Sequence, residues 1–181
     1  GKYLKQAGLK REDYQVATKV WPSSFDTDNC KRSLDESLAD LDIGYIDLIL
    51  LHWYGKDFDK AWKVFCDYKY QGLVKSLGVC NFTIDQMTKL LNIGEKPVVD
   101  QLESHLYLQD RKTVDFLKEN NILHQAWGPL SQGKSNLLDE EILKEIGDKY
   151  GKTPAQIALK WNIERGTMVL VKSTNPNRIK E

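Results

Sequence analysis

Residues that can bind or react follow six apolar segments of the chain. They are Lys19 after YQVAT, His52 after IDLILL, Asn81 after LGVC, Gln101 after VVD, Trp127 after ILHQA and Lys172 after MVLV. An ammonium group or an imidazole can stabilise or transfer a proton, and a carboxamide can hydrogen-bond a neutral ligand. Because the carboxyl ends of parallel strands meet on one face of a fold, this repeated placement predicts an enzyme site on that face.

Strand-like and helix-like segments alternate along the whole sequence. We predict strands at about 14–20, 46–52, 75–80, 97–102, 122–127 and 167–172, and helices at about 28–41, 58–71, 83–92, 110–120 and 139–162. The alternation predicts a parallel sheet covered by helices, and no linker marks a second domain within 1–181. The absence of G-x-G-x-x-G and G-x-x-x-x-G-K favours a closed barrel over an open doubly wound sheet.

Several helix ends carry capping residues. Thr83, with a glutamine three residues later, predicts a capping box, and Asp28 is expected to open the helix that follows it. Gly147 and Pro154 are expected to divide the last helical segment into two helices, with Thr153 capping the second.

Composition excludes some classes of function. Lys plus Arg equals Asp plus Glu at 26 each, so the chain has no overall attraction for nucleic acid or anionic membranes. No segment has the length of a membrane span, and no signal peptide is expected. Cys30, Cys66 and Cys80 are an odd number without a C-x-x-C pair, which predicts a reducing compartment, the cytoplasm. Because His105 and His124 lack metal-ligand spacing, we predict no metal site.

Seven motifs together carry a specific resemblance. They are ATKVW (17–21), DLILLHW (47–53), LVKSLGVCNF (73–82), DQLESHLYL (100–108), QAWGPLSQGK (125–134), GKTPAQIALKW (151–161) and VKSTNPNRI (171–179). In this order and spacing, and over essentially the whole chain, the sequence resembles the aldo-keto reductase family. The resemblance implies an α/β fold, a (β/α)8 TIM barrel that binds NADPH at its C-terminal mouth. It also implies a monomer that reduces small aldehydes or ketones to alcohols by hydride transfer.

The resemblance gives roles to the residues at the first two strand ends. Lys19 matches the lysine that lowers the pKa of a catalytic tyrosine, and His52 matches the histidine that orients the substrate carbonyl. Trp21 and Trp53 match aromatic walls of the substrate pocket. Without the resemblance, Lys19 would be interpreted as a surface residue and the two tryptophans as packing residues.

Five further residues match positions that contact the nicotinamide half of the cofactor and its pyrophosphate. Asn81 and Gln101 match side chains that hydrogen-bond the nicotinamide carboxamide. Trp127 matches an aromatic residue, commonly tyrosine, that stacks on the nicotinamide ring. The backbone from Leu130 to Gln132 is expected to lie along the pyrophosphate.

A basic cluster follows the last predicted strand. Lys172, Ser173 and Arg178 offer two cations and a hydroxyl to a dianion, which by resemblance is the 2′-phosphate that separates NADPH from NADH. Without the resemblance, this segment would be interpreted as a solvated basic turn.

Several residues depart from the family pattern, among them Cys80 and Asp100. Cys80 replaces a serine, and a binding role for it stands beside the interpretation as a small buried hydrophobe. Asp100 replaces an asparagine and is expected to face a neighbouring loop.

The resemblance covers only strands 3 to 8 of the family barrel. The first two strands and the C-terminal tail have no counterpart, and residues after Trp53 are also expected to be missing. No tyrosine here matches the catalytic one, and neither does an aspartate match its partner, so the chain alone is not expected to turn over. We expect it to be part of a longer reductase. The alternatives are a non-catalytic nucleotide-binding or regulatory relative and an inactive truncated fragment.

Overall fold

The computed structural model describes residues 1–180 and confirms the alternation of strands and helices. The strands are β1 Ala17–Val20, β2 Ile46–Leu51, β3 Val74–Cys80, β4 Val99–Glu103, β5 Leu123–Trp127 and β6 Met168–Val169. The α-helices are α1 Lys2–Gln6, α2 Thr27–Leu41, α3 Phe58–Tyr70, α4 Ile84–Leu91, α5 Arg111–Glu119, α6 Glu141–Tyr150, α7 Pro154–Glu164 and α8 Pro176–Lys180. The strands follow one another in the sheet in chain order, and β1–β2, β2–β3 and β5–β6 pair in parallel.

The chain divides into two compact units, Gly1–Asp100 and Gln101–Glu181. In the first unit, the register places Lys19 beside Leu50 and Leu50 beside Gly78. A Cβ atom on Gly78 would come within 2.5 Å of Val99 Cγ1, so only glycine allows this close approach. The strands of this unit are therefore held at a fixed register just below their carboxyl ends.

Helix capping in the first unit differs from the prediction at one end. Helix α2 begins at Thr27, and Asp26 is its cap, accepting a hydrogen bond from the backbone N–H of Asn29 at 3.1 Å. The expectation that Asp28 opens this helix was wrong, because Asp26 already fills that role and Asp28 lies in the first turn. The capping box predicted at Thr83 is confirmed.

In the second unit, the break between α6 and α7 lies later than predicted. Gly147 remains inside α6, where a Cβ atom would come within 2.4 Å of the Lys152 carbonyl oxygen. The helix ends instead at Gly151, whose φ of 61° is left-handed. Thr153 and Pro154 then begin α7 as predicted, and Thr153 Oγ1 accepts from the next turn.

Strand β6 is shorter than the predicted 167–172 and ends at Val169. Lys172 therefore follows the strand within an irregular segment. Within residues 1–180, no helix combines the length and the apolar character that crossing a membrane requires. The same residues contain no group of three or more His, Cys, Asp or Glu side chains placed to hold a metal ion.

Candidate active site

Lys19 and His52 lie on neighbouring strands of the first unit. Lys19 is half-buried on β1, and His52 follows β2 directly, its backbone N–H donating to the Val20 carbonyl oxygen at 3.0 Å. The pKa of His52 is lowered, first by burial and then by the charge of Lys19. The two predicted catalytic residues are thus electrostatically coupled, and the imidazole is neutral at neutral pH, with one N–H to donate.

Trp21 packs its ring against His52. The two ring centroids are 4.8 Å apart at an interplanar angle of 87°, an edge-to-face arrangement that restricts rotation of the imidazole. Trp21 is 54% exposed and Trp53 is 41% exposed, which is high for residues of this size. Exposed aromatic surface beside a neutral imidazole can form the apolar wall of a pocket for a small ligand.

The turn after β3 carries Asn81 in a left-handed conformation. Its φ is 58°, which asparagine tolerates better than most residues. Cys80, the last residue of β3, is 1% exposed and packs in the core with Leu50 and Val99. Burial raises the pKa of the Cys80 thiol to about 12, so the thiol stays neutral. This environment favours the interpretation of Cys80 as a small buried hydrophobe.

Asp100 is fully buried in the first unit, and neither of its carboxyl oxygens has a hydrogen-bond partner within residues 1–180. Burial raises the pKa of this carboxyl well above its ordinary value. The backbone amides of Phe82 and Asn81 oppose that rise, so they lie near the carboxyl without reaching hydrogen-bonding geometry. Asp100 therefore lies near the turn after β3, in surroundings that favour its protonated form.

In the second unit, Gln101 takes part in a chain of hydrogen bonds. Its Nε2 donates to Gln125 Oε1 at 2.7 Å, and Gln125 Nε2 donates to Met168 Sδ at 2.9 Å. Neither Gln125 nor Met168 was among the predicted site residues. The available clue is strand alternation, because Gln125 precedes Trp127 by two residues and so shares its face of β5.

Trp127 and the loop after it lie at the carboxyl end of β5. Trp127 is half-buried, and its carbonyl oxygen accepts from the Ser104 N–H at 3.2 Å. In the loop, Leu130 packs against the apolar cluster around Leu137, while Gln132 is exposed with a left-handed φ of 53°. The residue predicted to stack on the nicotinamide ring therefore ends β5, and the residues predicted to contact the pyrophosphate follow it in the loop.

The predicted phosphate cluster lies on the exposed segment after β6. Lys172 is exposed, and Arg178 is exposed on α8. Neither cation forms an ion pair with any residue that the structure describes. Ser173 Oγ accepts from the Asn175 N–H at 3.1 Å. Both cations are therefore accessible to an anion from solution.

A cavity of about 560 Å³ in the second unit is separate from these residues. It is lined by residues near the starts of β5 and β6, including His124, Arg165 and Thr167, whereas Trp127 and Lys172 lie beyond the other ends of those strands. His124 Nδ1 bonds Thr167 Oγ1 at 3.0 Å, and its Nε2 has no partner within residues 1–180. Burial, helped by the charge of Arg165, lowers the pKa of His124 to about 4. The cavity holds none of the predicted site residues.

Comparison with curated proteins gives relatives over the whole chain. The methylglyoxal reductase DkgA of Escherichia coli O157:H7 is 38% identical over 185 residues, which cover 100% of this chain and 66% of that protein. The glyoxal reductase of Bacillus subtilis strain 168 is 34% identical over 180 residues, covering 98% of this chain and 64% of that protein. The chain spans about two thirds of the length of the curated relatives it matches.

Comparison with solved structures gives the same family. An aldo/keto reductase from Brucella melitensis superposes with a TM-score of 0.93 at 38% identity, covering 99% of this chain and 70% of that one. The aldo-keto reductase MGS-M4, from a Medee basin deep-sea metagenome library, superposes with a TM-score of 0.95 at 34% identity. The superposition covers 99% of this chain and 68% of that one. The model of the Aldo/keto reductase family matches residues 1–181. The chain therefore belongs to the aldo/keto reductase family, and its six-stranded α/β fold is part of a (β/α)8 barrel.

Proposed function

We propose that the protein carrying this chain reduces small aldehydes or ketones to alcohols with NADPH. The observation that carries the proposal is the grouping of Lys19, His52 and Trp21 at the ends of β1 and β2 in a member of this family. The named relatives include a methylglyoxal reductase and a glyoxal reductase, whose names specify small dicarbonyl compounds. A compact α-ketoaldehyde is therefore the substrate class that we propose first.

In this proposal the first unit polarises the carbonyl group. The neutral imidazole of His52 donates its N–H to the carbonyl oxygen, and Trp21 holds the ring in the orientation for doing so. The ammonium of Lys19 stabilises negative charge as it develops on that oxygen. The oxygen then takes a proton, which the family resemblance assigns to a tyrosine whose pKa a lysine at this position lowers. NADPH, when bound, supplies the hydride to the carbonyl carbon.

The residues of the second unit fit the two ends of such a cofactor. The Gln101 amide is buried and held by Gln125, which suits recognition of a neutral carboxamide. Trp127 offers an aromatic face at the end of β5. The exposed cations of Lys172 and Arg178 suit a phosphate dianion, which supports NADPH over NADH. Asn81, Leu130, Gln132 and Ser173 keep the cofactor roles predicted for them, and Trp53 keeps its place in the substrate pocket.

We also propose a monomer in the reducing environment of the cytoplasm, with a small carbonyl compound as its partner. In support, all three cysteines are free, and burial raises the pKa of the Cys30 thiol to about 12. Free thiols persist in a reducing compartment, because disulfides seldom form there.

The test is the consumption of NADPH in the presence of methylglyoxal by the whole protein that carries this chain and by its His52→Leu variant. We expect saturable consumption in the wild type, a preference for NADPH over NADH, and a loss of turnover in the variant at unchanged NADPH affinity. Tight NADPH binding without reduction of any small aldehyde or ketone would favour the non-catalytic alternative. Absence of NADPH binding would contradict both.

A further inference from the structure

Three side chains of the second unit form a directed hydrogen-bond chain across β4, β5 and β6. Gln101 donates through Nε2 to Gln125, and Gln125 donates through Nε2 to the Met168 sulfur. Gln125 and Met168 are register partners in the β5–β6 pair. The two glutamines are 5% and 6% exposed, so water does not compete effectively for the hydrogen bond between them, whereas Met168 is 49% exposed.

The sulfur atom fixes the direction of the chain. A thioether accepts hydrogen bonds and cannot donate them, so the Gln125 amide must present its Nε2 atom to Met168. Its Oε1 atom then points toward Gln101, where only Nε2 can donate to it. The Met168 sulfur therefore determines the orientation of both amide groups. In this orientation, the Gln101 Nε2 atom points toward Gln125 and the Gln101 Oε1 atom points away from it.

We propose that Gln125 and Met168 are positioning residues that fix the orientation of the Gln101 amide, so that Gln101 Oε1 accepts the N–H of the nicotinamide carboxamide. The proposal rests on the proposed role of Gln101 in cofactor binding. A terminal amide free to turn over would present a donor or an acceptor about equally well, and would lose selectivity for a ligand N–H. The chain of hydrogen bonds removes that freedom.

The test compares two cofactors that differ at one group. In the acetylpyridine analogue of NADPH, a methyl ketone replaces the carboxamide, which keeps the carbonyl and removes the N–H. We expect the wild type to bind NADPH about fivefold more tightly than the analogue, the size of one neutral hydrogen bond. Gln125→Leu removes the acceptor and Met168→Leu removes the sulfur, so both should bring the affinity ratio close to one.

A conservative substitution separates orientation from packing. Gln125→Glu keeps an oxygen for Gln101 Nε2 and should retain the preference for NADPH. Adding Met168→Leu to Gln125→Glu should then leave the affinity ratio of the two cofactors unchanged. The reason is that an oxygen acceptor faces Gln101 whether or not the sulfur is present. If Met168 acted only through packing, Met168→Leu would instead change the affinity ratio equally in the wild type and in Gln125→Glu.

Met87→Leu, in helix α4 of the other unit, is the matched control and should leave the ratio at the wild-type value. The inference is overturned if the wild type binds NADPH while Met168→Leu and Gln125→Leu weaken both cofactors equally or leave the ratio unchanged. In that case the proposed function stands. If the wild type binds neither cofactor, the proposed function fails, and this inference fails with it.

Discussion

The two units differ in the kind of polar side chain that lies on or directly after their strands. The first unit supplies a half-buried ammonium and a neutral imidazole, Lys19 and His52, and burial together with the charge of Lys19 lowers the pKa of His52. The second supplies a buried amide, Gln101, and two exposed cations, Lys172 and Arg178. Groups that react need a shielded environment that shifts pKa values, whereas groups that hold an anion can remain in water. The division fits the hydride transfer from a bound dinucleotide that we propose.

The units also differ in their buried titratable groups. The first buries Asp100, with no hydrogen-bond partner for either carboxyl oxygen within residues 1–180, and the second buries His124 with Nε2 unpartnered in the same range. Burial raises the pKa of Asp100 and lowers that of His124, so in each case it favours the neutral form. The same physical cause therefore gives the two units opposite responses to pH.

The largest expected effect is loss of turnover in Lys19→Met. Removing the ammonium should lower kcat for methylglyoxal by about 100-fold or more, because charge that develops in the transition state loses its stabilising partner. Steady-state kinetics of the protein checks this. Lys63→Met, the same substitution at an exposed position of helix α3, should retain the wild-type kcat. Equal losses in both variants would remove Lys19 from the mechanism.

Asp100→Asn should abolish the loss of stability that the wild type shows as pH rises. Because the folded pKa is raised, the wild type is most stable below the ordinary carboxyl pKa of 3.8 and loses stability as pH rises from there to the folded pKa. The Cys80 thiol, with a pKa of about 12, stays neutral across this window. Urea unfolding measured at a series of pH values above 3.8 should show the decline in the wild type and not in the variant. A decline of equal slope in both would assign it to another group.

His124→Asn tests a dependence of stability on pH with the opposite sign. The folded pKa of about 4 lies below the ordinary 6.5, so stability is complete above pH 6.5 and is lost as pH falls toward 4, by at most about 3 kcal/mol. Asparagine keeps a polar atom near Thr167 and does not titrate. Acid unfolding should therefore shift to lower pH in the variant. An unchanged acid transition would mean that His124 does not control it.

The smallest effect is expected for Trp21→Leu. Loss of the edge-to-face contact with His52 should cost about 1 kcal/mol in kcat/KM, a factor of about five. Trp53→Leu, at the other exposed tryptophan, has no ring contact with His52 among the aromatic pairs of residues 1–180 and is the comparison. If the two substitutions reduce kcat/KM equally, Trp21 acts only as a pocket wall.

Strand ends were predictable from the sequence because an apolar segment followed by a polar residue is a local pattern. His52 and Asn81 directly follow their strands as expected, and Lys19 lies one residue before the end of β1. The early end of β6 was not predictable, since Leu170 and Val171 are apolar yet exposed and outside the strand. Hydrophobicity alone does not say where pairing stops.

Hydrogen bonds between side chains on different strands could not be predicted from the sequence either. The hydrogen bonds of Gln125 to Gln101 and Met168 join residues 24 and 43 positions apart, and only the register brings them together. The Asp26 cap was missed because Asp26 and Asp28 both precede a helical pattern, and backbone conformation decides between them. The roles of the site residues remain predictions for the measurements above.

The most direct test of the account is the affinity for NADPH and NADH of the wild type, of Lys172→Ala with Arg178→Ala, and of Lys19→Met. Lys149→Ala with Lys152→Ala, which removes two exposed lysines from the same unit, controls for net charge. We predict that the first double variant binds NADPH at least about tenfold more weakly with little change for NADH, while Lys19→Met and the control match the wild type. Equal weakening of both cofactors in the first double variant, or a loss of NADPH affinity in Lys19→Met, would contradict the division of roles between the two units.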